Sequence, residues 1–593
     1  MHTNEKIATL RKAMETQGLA AYVVNTADAH QSEYVSDFFK ERAWLTGFTG
    51  SAGTALVTQD KALVWTDGRY FIQAEQEIAG SDFELMKMAT PGYPSVREWL
   101  LANLSSGDLV GMNEATLSQK AYEEMSAALD KKGIKLQPLP SLIAPLWQDR
   151  PALPSAAIFA HDLEYTGMTA SEKIEKMRAK MAEDGADASF IVGLDDVAWL
   201  YNYRGGDVAH NPVSLAYALL TEKEAKLFID LGKVDKNMQN IFHKEGIEVL
   251  DYKEAASALS HLKAKKIALD KGLISYQLFK SLPSSVEVLD QTSYVYLTKC
   301  CLNPTELACQ KAAYKRDSAA ITRFLFWLKR EVKRQAIDEL QAADQLHAWR
   351  SQGDKFLEES FGSISAYGPN AAMMHYAPSA DHKAQLEAKS FYLIDSGGQY
   401  LDGTTDITRT IALGPLSAEE KTDFTLTLKS HIGLASAKFL EGTSGYYLDC
   451  LARQPLWQHY MDYKCGTGHG VGYVAGVHEG PQRFSKVYNP LPLQEGMHIT
   501  IEPGVYKEGK HGIRLENDYV VSFDREFMGD RFLQLEVMSF VPLDRDAIDP
   551  SLLTTQEIAW LDQYHQQCYE VLIDQMTTDE ERADLKKACA PLL

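Results

Sequence analysis

The segment at residues 391–411, FYLIDSGGQYLDGTTDITRTI, constrains the fold strongly, because it places acidic side chains in strand-like runs that are otherwise apolar or rich in threonine. Asp395 closes the first run, and Asp406 lies inside the second. We expect a hairpin that turns around Gly397 and Gly398 and brings these two carboxylates together across its strands. Side chains alternate along a strand, so four residues of the second run are expected on one face: Asp402, Thr404, Asp406 and Thr408. On these residues alone, an exposed hairpin with solvated aspartates is an equally good interpretation.

Three more potential metal ligands lie downstream, each at the edge of a strand-like segment. His469 lies in CGTGHGVGY, whose glycines allow the backbone to approach a site closely. Glu502 follows an apolar run, and Glu516 is predicted on a strand at residues 512–521 with Arg514 on the same side. Four carboxylates held together would repel one another, whereas two divalent cations balance their charge and leave room for a bridging hydroxide. The set therefore predicts a dinuclear metal site.

Five ordered motifs carry a resemblance to a known family: GPNAAMMHYAP, LIDSGGQYLDGTTDITRT, GTGHGVGYVAGVHEGP, IEPGVY and GIRLEN. In these stretches the chain resembles aminopeptidase P, the Xaa-Pro aminopeptidase group of the pita-bread metallopeptidases of family M24, in its long three-domain form. Agreement in DAHQSEY, GSAGTALV and WTDGRYF extends the resemblance over nearly the whole chain. Ordered motifs with matching ligand types are far more specific than a single glycine motif.

The resemblance implies an α/β (α+β) fold class, with two similar N-terminal creatinase-like α/β domains followed by a C-terminal pita-bread metallopeptidase domain. The predicted domains are residues 1–153, 154–303 and 304–593, the last with a C-terminal helical extension. Long helices are predicted at residues 306–332 and 555–576. An internal repeat supports the first two domains, since each has three apolar residues at helical spacing before a glycine. The paired positions are Ile7, Leu10, Met14 and Gly18, and Ile174, Met177, Met181 and Gly185.

Composition excludes several classes of partner. The 593 residues carry a formal net charge of −21, which would repel nucleic acid and anionic membranes. The N-terminal segment is typical of an amphipathic helix rather than a signal peptide, and no stretch approaches the roughly 18 apolar residues of a membrane span. Seven cysteines without a CxxC pair are typical of reduced thiols. We therefore expect a cytoplasmic protein with no nucleic-acid or membrane partner.

The resemblance implies a role for each proposed ligand. Asp395 would bind one metal ion, and His469 would bind the other and lie beside the substrate. Asp406 and Glu516 would bridge the two ions. Glu502 would be a further ligand and would accept the proton of the attacking water. Oxygen-rich ligation with a single imidazole favours manganese and leaves cobalt, zinc and iron as alternatives.

Other residues match family positions that contact the peptide or support the ligands. His375 and His478 would donate hydrogen bonds to the substrate carbonyl or to the developing oxyanion. Arg514 would hold a ligand carboxylate by a charge-assisted hydrogen bond, with Tyr506 in a similar supporting role. Arg69, in WTDGRYF, matches an arginine near the peptide in related enzymes, and a surface ion pair is the alternative interpretation.

One position departs from the family pattern. Many relatives carry histidine four residues before the metal-binding histidine, in HGTGH, where this chain has Cys465. That histidine is associated with the pocket around the proline, so the change affects the expected contacts with substrate and leaves the five proposed ligands intact. We interpret Cys465 as a small apolar residue of the pocket wall rather than a ligand for a soft metal.

The predicted function is metal-dependent hydrolysis of the N-terminal Xaa-Pro bond of peptides, by a homodimer. Proline lacks an amide hydrogen and fixes φ, so such bonds require a dedicated pocket. A prolidase, which cleaves Xaa-Pro dipeptides with the same ligand set, is the first alternative, and an inactive pita-bread binding module is the second. The long N-terminal part disfavours methionine aminopeptidase. Motifs of P-loop, zincin, dinucleotide-binding and serine-hydrolase enzymes do not occur.

Overall fold

A computed structural model describes all 593 residues, Met1–Leu593. The chain divides into two compact units, one formed by Met1–Asp162 and Met168–Leu297 and the other by Leu163–Gly167 and Thr298–Leu593. None of the helices combines the length and apolar character needed to cross a lipid bilayer. The division into three domains at residues 153/154 and 303/304 stays a prediction.

The first half of the first unit is a six-stranded sheet with helices packed on both faces. Its strands are β1 (Ala21–Asn25), β2 (Thr54–Thr58), β3 (Ala62–Thr66), β4 (Phe83–Lys87), β5 (Leu109–Asn113) and β6 (Lys135–Leu139). Its helices are α1 (Thr3–Gln17), α2 (Glu41–Thr46), α3 (Phe71–Glu77), α4 (Val96–Asn103) and α5 (Gln119–Asp130). The strand order is β4-β3-β2-β1-β5-β6, with β2 antiparallel to both neighbours. Alternate residues of β1 enter different cores, because strand side chains alternate between faces.

The second half of this unit repeats the same sheet. Its strands are β7 (Phe159–Ala160), β8 (Ala188–Ile191), β9 (Tyr203–Arg204), β10 (Ala216–Thr221), β11 (Ala225–Ile229), β12 (Ile247–Asp251), β13 (Lys266–Leu269) and β14 (Glu287–Asp290). After α6 (Leu163–Thr166) of the other unit come α7 (Ala170–Glu183), α8 (Leu194–Leu200), α9 (Lys236–Lys244), α10 (Ala255–Ser260), α11 (Tyr276–Phe279) and α12 (Tyr296–Lys299). The order β12-β11-β10-β8-β13-β14 reproduces that of the first sheet, with β10 antiparallel to both neighbours.

The structure confirms the internal repeat predicted from the sequence. The predicted apolar positions are all buried in α1 and α7: Ile7, Leu10, Met14, Ile174, Met177 and Met181. Gly18 and Gly185 follow these helices with φ of 65° in both cases, a left-handed conformation that favours glycine over any residue with a side chain. The two glycines therefore end equivalent helices.

The second unit contains only antiparallel strand pairs, in several small sheets. Its helices are α13 (Pro304–Glu331), α14 (Glu339–Arg350), α15 (Ala418–Ala435), α16 (Gly445–Trp457), α17 (Thr555–Leu572) and α18 (Asp579–Ala588). Strands in its first part are β15 (Phe356–Glu359), β16 (Ile364–Tyr367), β17 (Phe391–Ser396), β18 (Gly398–Tyr400), β19 (Gly403–Thr404), β20 (Ile407–Ala412) and β21 (Lys438–Leu440). The remaining strands are β22 (Gly468–His469), β23 (Arg483–Phe484), β24 (His498–Ile501), β25 (Gly504–Lys507), β26 (His511–Arg514), β27 (Asn517–Phe527) and β28 (Asp530–Val537). The two predicted long helices correspond to α13 and α17.

The predicted hairpin at residues 391–411 is present, but the position predicted for its turn was wrong. β17 pairs antiparallel with β20, and the connection at residues 397–406 contains its own short pair, β18 with β19. Gly397 is a packing glycine rather than a turn glycine, because a Cβ on it would lie 1.7 Å from the carbonyl oxygen of Thr405. The shared face was also wrong for Asp402, which lies between β18 and β19 and pairs with Arg316 and Lys355.

Candidate metal centre

The five ligands predicted from the sequence converge in the second unit, together with His478. Three groups of potential ligand atoms each lie within 4.8 Å of one another: Asp406 with His469 and His478, His469 with Glu502 and Glu516, and Asp395 with Asp406 and Glu516. The groups share members, so they form one continuous cluster. Asp395, Asp406 and Glu516 are buried, whereas His469 and Glu502 are partly accessible. The accessible side is where a substrate could reach the cluster.

Each carboxylate comes from the end of a strand or from a break between strands. Asp395 lies near the end of β17, Asp406 lies directly before β20, and Glu502 directly follows β24. Glu516 was predicted inside a continuous strand, but β26 ends at Arg514 and β27 begins two residues after Leu515. The break frees Glu516 from both ladders, and its backbone N–H instead donates to Thr408 O at 3.2 Å.

Backbone contacts fix the orientation of His469. Its Nδ1 lies 3.0 Å from the carbonyl oxygen of Gly470, and a carbonyl only accepts, so Nδ1 carries the proton in the neutral ring. Nε2 then presents a lone pair 3.4 Å from Glu502 Oε1 and 3.5 Å from Asp406 Oδ2. A lone pair facing two carboxylate oxygens is unfavourable without a cation among them. This tautomer is the one that a metal-binding histidine needs.

The electrostatics of the cluster also fit bound cations. Burial raises the pKa of Asp406 and of Glu516 well above the usual range, and the neighbouring carboxylates raise both further. Burial likewise raises the pKa of Glu502 to about 7. Asp395 Oδ1 and Glu516 Oε1 are buried and accept no hydrogen bond from the protein. Unpartnered buried carboxylate oxygens are costly, so the donor set suits divalent cations as the missing partners.

Two side chains hold ligand carboxylates from outside the cluster. Arg514 Nη2 donates to Asp395 Oδ2, and Arg514 Nη1 donates to the Tyr506 hydroxyl at 2.8 Å. Thr408 Oγ1 donates to Glu516 Oε2 at 2.6 Å and accepts from Arg514 Nε at 3.2 Å. These bonds occupy one oxygen of each carboxylate and leave the other for a cation.

Four consecutive segments match known families. Residues 6–146 and 149–306 each match the creatinase/prolidase N-terminal domain, residues 308–522 match metallopeptidase family M24, and residues 531–592 match the C-terminal region of peptidase M24. Aminopeptidase P2 of Arabidopsis thaliana is 37% identical over 96% of this chain and 85% of its own length. A probable Xaa-Pro aminopeptidase P of Laccaria bicolor is 37% identical over 100% of this chain and 94% of its own length. The chain belongs to the aminopeptidase P family.

A solved structure extends this family assignment to three dimensions. The crystal structure of X-prolyl aminopeptidase from Caenorhabditis elegans, described as a cytosolic enzyme with a di-nuclear active site, is 34% identical and covers 100% of both chains with a TM-score of 0.97. The matches confirm the predicted fold class for this aminopeptidase P family member, namely two creatinase-like α/β domains followed by a pita-bread metallopeptidase domain.

His478 and His375, the two histidines predicted to contact the peptide, differ in how close they lie to the proposed ligands of this aminopeptidase P family member. His478 packs edge-to-face on His469, with ring centroids 4.3 Å apart. His375 is half-buried in the loop after a 3₁₀ turn at Gly368–Ala372 and lies outside the three ligand groups. That turn packs closely on β26, where a Cβ on Gly512 would lie 1.7 Å from Ala371 O. The loop of His375 is thus held beside the hairpin that carries Arg514.

Cys465 and Arg69 also have defined local contacts. Cys465 packs with the apolar residues of a small cluster that includes Leu456 and Val505, and burial raises the pKa of its thiol to about 12. Arg69 lies in the first unit, where it forms a forked pair with Asp67 at 2.9 Å and lies 3.9 Å from Glu33. Its predicted contact with peptide stays a prediction.

Sequence reasoning missed the polar residues of α13 that face the connection between Asp395 and Asp406. Gln310, Tyr314 and Asp317 are fully buried on one face of this helix. Their spacing of four and three residues places them on consecutive turns. These polar residues recur at helical spacing on a helix face that is otherwise apolar, and this pattern could have indicated buried polar contacts in the sequence.

Proposed function

We propose that this chain is a metal-dependent aminopeptidase that hydrolyses the N-terminal Xaa-Pro bond of peptides. The observation that carries the proposal is the partly accessible cluster of four carboxylates and the His469 imidazole, in which two buried carboxylate oxygens have no partner in the protein. An inactive binding module would have no reason to keep so costly an arrangement of charges. The names of the full-length relatives and the X-prolyl aminopeptidase structure support the same reaction.

The proposed cofactor is a pair of divalent cations, with manganese preferred and cobalt or zinc as alternatives. The proposed ligands are Asp395, Asp406, His469, Glu502 and Glu516. When bound, the pair would supply an activated water and a Lewis acid for the scissile carbonyl. The oxygen-rich donor set favours manganese over metals that select thiolates. The similar enzyme from Caenorhabditis elegans is described as having a di-nuclear active site, which supports the proposal of two ions.

The side chains of the protein transfer the proton, bind the carbonyl oxygen of the substrate and orient the ligands. Glu502 accepts the proton of the attacking water at a carboxylate oxygen and returns it to the proline nitrogen as that nitrogen leaves. His478 and His375 donate hydrogen bonds to the carbonyl oxygen as negative charge develops on it. Arg514 orients Asp395 through a charge-assisted hydrogen bond, and the Tyr506 hydroxyl accepts a hydrogen bond that holds the guanidinium in turn. Arg69 is proposed to contact the peptide.

The active form is proposed to be a homodimer. Exposed aromatic side chains are concentrated on α16 and nearby loops, including Tyr447 at 66% and Tyr488 at 67% exposure. The ring of Tyr446 lies 5.5 Å from both of these rings, so the three form a continuous patch. Exposed apolar patches of this kind mark interaction surfaces, and a second copy of the chain is the proposed partner. Tyr447→Glu should then yield monomers in sedimentation velocity.

A cytoplasmic location is proposed as well. The seven cysteines are all free, and the neighbour from Caenorhabditis elegans is described as cytosolic. Cysteines that remain reduced are usual in that compartment. Localisation of a tagged chain in its own cells tests this proposal.

The peptides that the chain cleaves distinguish the proposed aminopeptidase from a prolidase and from an inactive binding module. The metal-loaded chain is incubated with an Xaa-Pro-Xaa tripeptide, an Xaa-Pro dipeptide and an Xaa-Ala-Xaa tripeptide, and release of the first residue is measured. Cleavage confined to the proline-containing tripeptide is expected. Preference for the dipeptide would assign the chain to the prolidases, and no cleavage of any peptide would favour a binding module.

A further inference from the structure

One face of α13 holds the connection between the two aspartate ligands. The Gln310 side-chain amide donates to Thr404 O and accepts from Thr404 N at 3.2 Å. The Asp406 backbone N–H donates to the Tyr314 hydroxyl at 3.3 Å. Thr405 Oγ1 donates to Asp317 Oδ2 at 2.7 Å. Three consecutive residues, including a proposed ligand, are therefore fixed by one rigid helix.

Asp317 is the centre of this support, and it lies outside the ligand groups. Its carboxylate accepts from Arg350 Nε at 2.6 Å, from the Tyr400 hydroxyl at 3.0 Å and from Thr405. Asp317 and Arg350 are fully buried as an ion pair. Arg350 Nη2 also donates to the Ser396 hydroxyl at 3.1 Å, directly after Asp395. The buried pair thus reaches both ends of the connection at residues 397–406.

Thr405 transmits this support to the backbone. Its hydroxyl donates to Asp317 and accepts from the Gly398 N–H at 2.8 Å, while its carbonyl accepts from the Ser360 hydroxyl at 2.8 Å. Gly397 packs against the same carbonyl so closely that no side chain fits there. Since Thr405 immediately precedes Asp406, a shift of its backbone moves that carboxylate. Loss of the hydroxyl removes the bond to Asp317 and the bond from the Gly398 N–H, and leaves the shape of the side chain nearly unchanged.

We propose that Asp317 is a positioning residue which, through the Thr405 hydroxyl, sets the distance between Asp395 and Asp406 and thereby the affinity of the site for its divalent cations. The inference rests on the proposed metal-dependent function. A ligand carboxylate whose backbone is already held in place by a buried helix face needs less reorganisation when cations bind.

Matched variants of Thr405 test the proposal with minimal risk to folding. Thr405→Val keeps the shape and removes the hydroxyl, whereas Thr405→Ser keeps the hydroxyl. Thr427→Val is the control, because Thr427 is another fully buried threonine of the same unit whose hydroxyl donates to Asp423 O at 2.9 Å. The affinity of the full chain for Mn²⁺ is measured without peptide, by competition with a fluorescent chelator, and kcat is measured at saturating Mn²⁺.

The expected result is an affinity about ten-fold weaker in Thr405→Val. Removing a direct hydrogen-bond partner of a metal ligand costs about 10- to 100-fold in affinity, and Thr405 acts on Asp406 less directly, through the backbone. Thr405→Ser and Thr427→Val should bind Mn²⁺ like the unmodified chain, and Thr405→Val should regain most of its kcat at saturating Mn²⁺. Asp317→Asn should weaken binding further, since it disturbs both ends of the connection.

Three results would overturn the inference. Unchanged affinity in Thr405→Val would show that the hydroxyl does not position the ligand. Equal losses in Thr405→Val and Thr405→Ser would assign the effect to something other than the hydroxyl, and an equal loss in Thr427→Val would assign it to general loosening of the unit. If the unmodified chain bound no Mn²⁺ and cleaved no peptide, the proposed function itself would fail, which is a distinct outcome.

Discussion

Arg514 donates a hydrogen bond to Asp395 Oδ2 from the neighbouring hairpin and leaves Asp395 Oδ1 buried without a partner in the protein. A guanidinium only donates, so the bond fixes which carboxylate oxygen faces away from the cluster. The same guanidinium reaches Thr408, which holds Glu516, and Tyr506. One planar group therefore orients ligands from two different strand ends.

Arg514→Lys should impair the site although it keeps the charge, because an ammonium cannot reproduce the fork to Asp395, Tyr506 and Thr408. We expect Mn²⁺ affinity to fall by about 10- to 100-fold, as for other partners of metal ligands. Chelator competition measures the change. Arg525→Lys, at an arginine that is 70% exposed, is the matched control. Equal affinities in the Arg514 variant and the unmodified chain would contradict the assigned role.

Glu502→Gln should abolish most activity while the fold is kept. The amide retains the shape and cannot accept the proton from the attacking water, so kcat should fall by about 10²- to 10⁴-fold. Steady-state kinetics on the proline-containing tripeptide, beside a thermal melt, measure both effects. Glu508→Gln in the same part of the chain is exposed and should change neither. A variant at Glu502 with near-normal kcat would remove this residue from the mechanism.

The loop that carries His375 depends on a buried carboxylate. Glu339 is fully buried and accepts hydrogen bonds from Tyr367 N at 2.6 Å, the Tyr376 hydroxyl at 2.7 Å and Ala384 N at 2.6 Å. Its position in the first turn of α14 also suits a negative charge.

Glu339→Gln should loosen this loop, because the new amide group would meet N–H donors. We expect a loss of about 1–3 kcal/mol for the unsatisfied groups. Proteolysis within residues 373–383 should become faster, and KM should rise more than kcat falls. Tyr376→Phe removes one donor only and should have a smaller effect. Unchanged proteolysis and KM in Glu339→Gln would contradict this account.

The sequence predicted those parts of the fold and site that depend on local pattern. Buried residues at helical spacing marked α1 and α7, and strand ends marked Asp395 and Glu502, since periodicity reflects which side chains face a core. The turn was predicted at Gly397, which was wrong. A glycine is required there because the carbonyl oxygen of Thr405, eight residues later, packs against it, and a local sequence pattern does not show such a contact. The support from Asp317 was missed for the same reason, as its partners lie about 80 residues away in sequence.

Acid should destabilise the protein partly through His565. Burial, together with the positive charges of Arg545 and Arg409, lowers the pKa of this histidine to about 4. A histidine whose pKa is lower when folded binds protons mainly when unfolded, so stability is lost as pH falls from about 6.5 toward 4. Its Nε2 accepts from Leu543 N at 3.2 Å, a bond that requires the neutral ring.

His565→Gln should flatten this dependence, since glutamine can accept the same bond and does not titrate. The loss of unfolding free energy between about pH 7 and pH 5 should be smaller than in the unmodified chain by about 2 kcal/mol. Urea unfolding at the two pH values measures it. His459→Gln, at an exposed histidine, should leave the pH dependence unchanged. Equal pH dependence in all three proteins would show that His565 titrates normally.

The central claim is that five residues hold two divalent cations for peptide hydrolysis: Asp395, Asp406, His469, Glu502 and Glu516. The most direct test is the metal content per chain, determined by mass spectrometry after loading with Mn²⁺ and desalting, for the unmodified chain and for Asp406→Asn. The account predicts two ions per unmodified chain, fewer in the variant, and cleavage of the proline-containing tripeptide only by the metal-loaded unmodified chain. An unmodified chain that retains no metal, or an Asp406→Asn variant with the same metal content and activity, would contradict it.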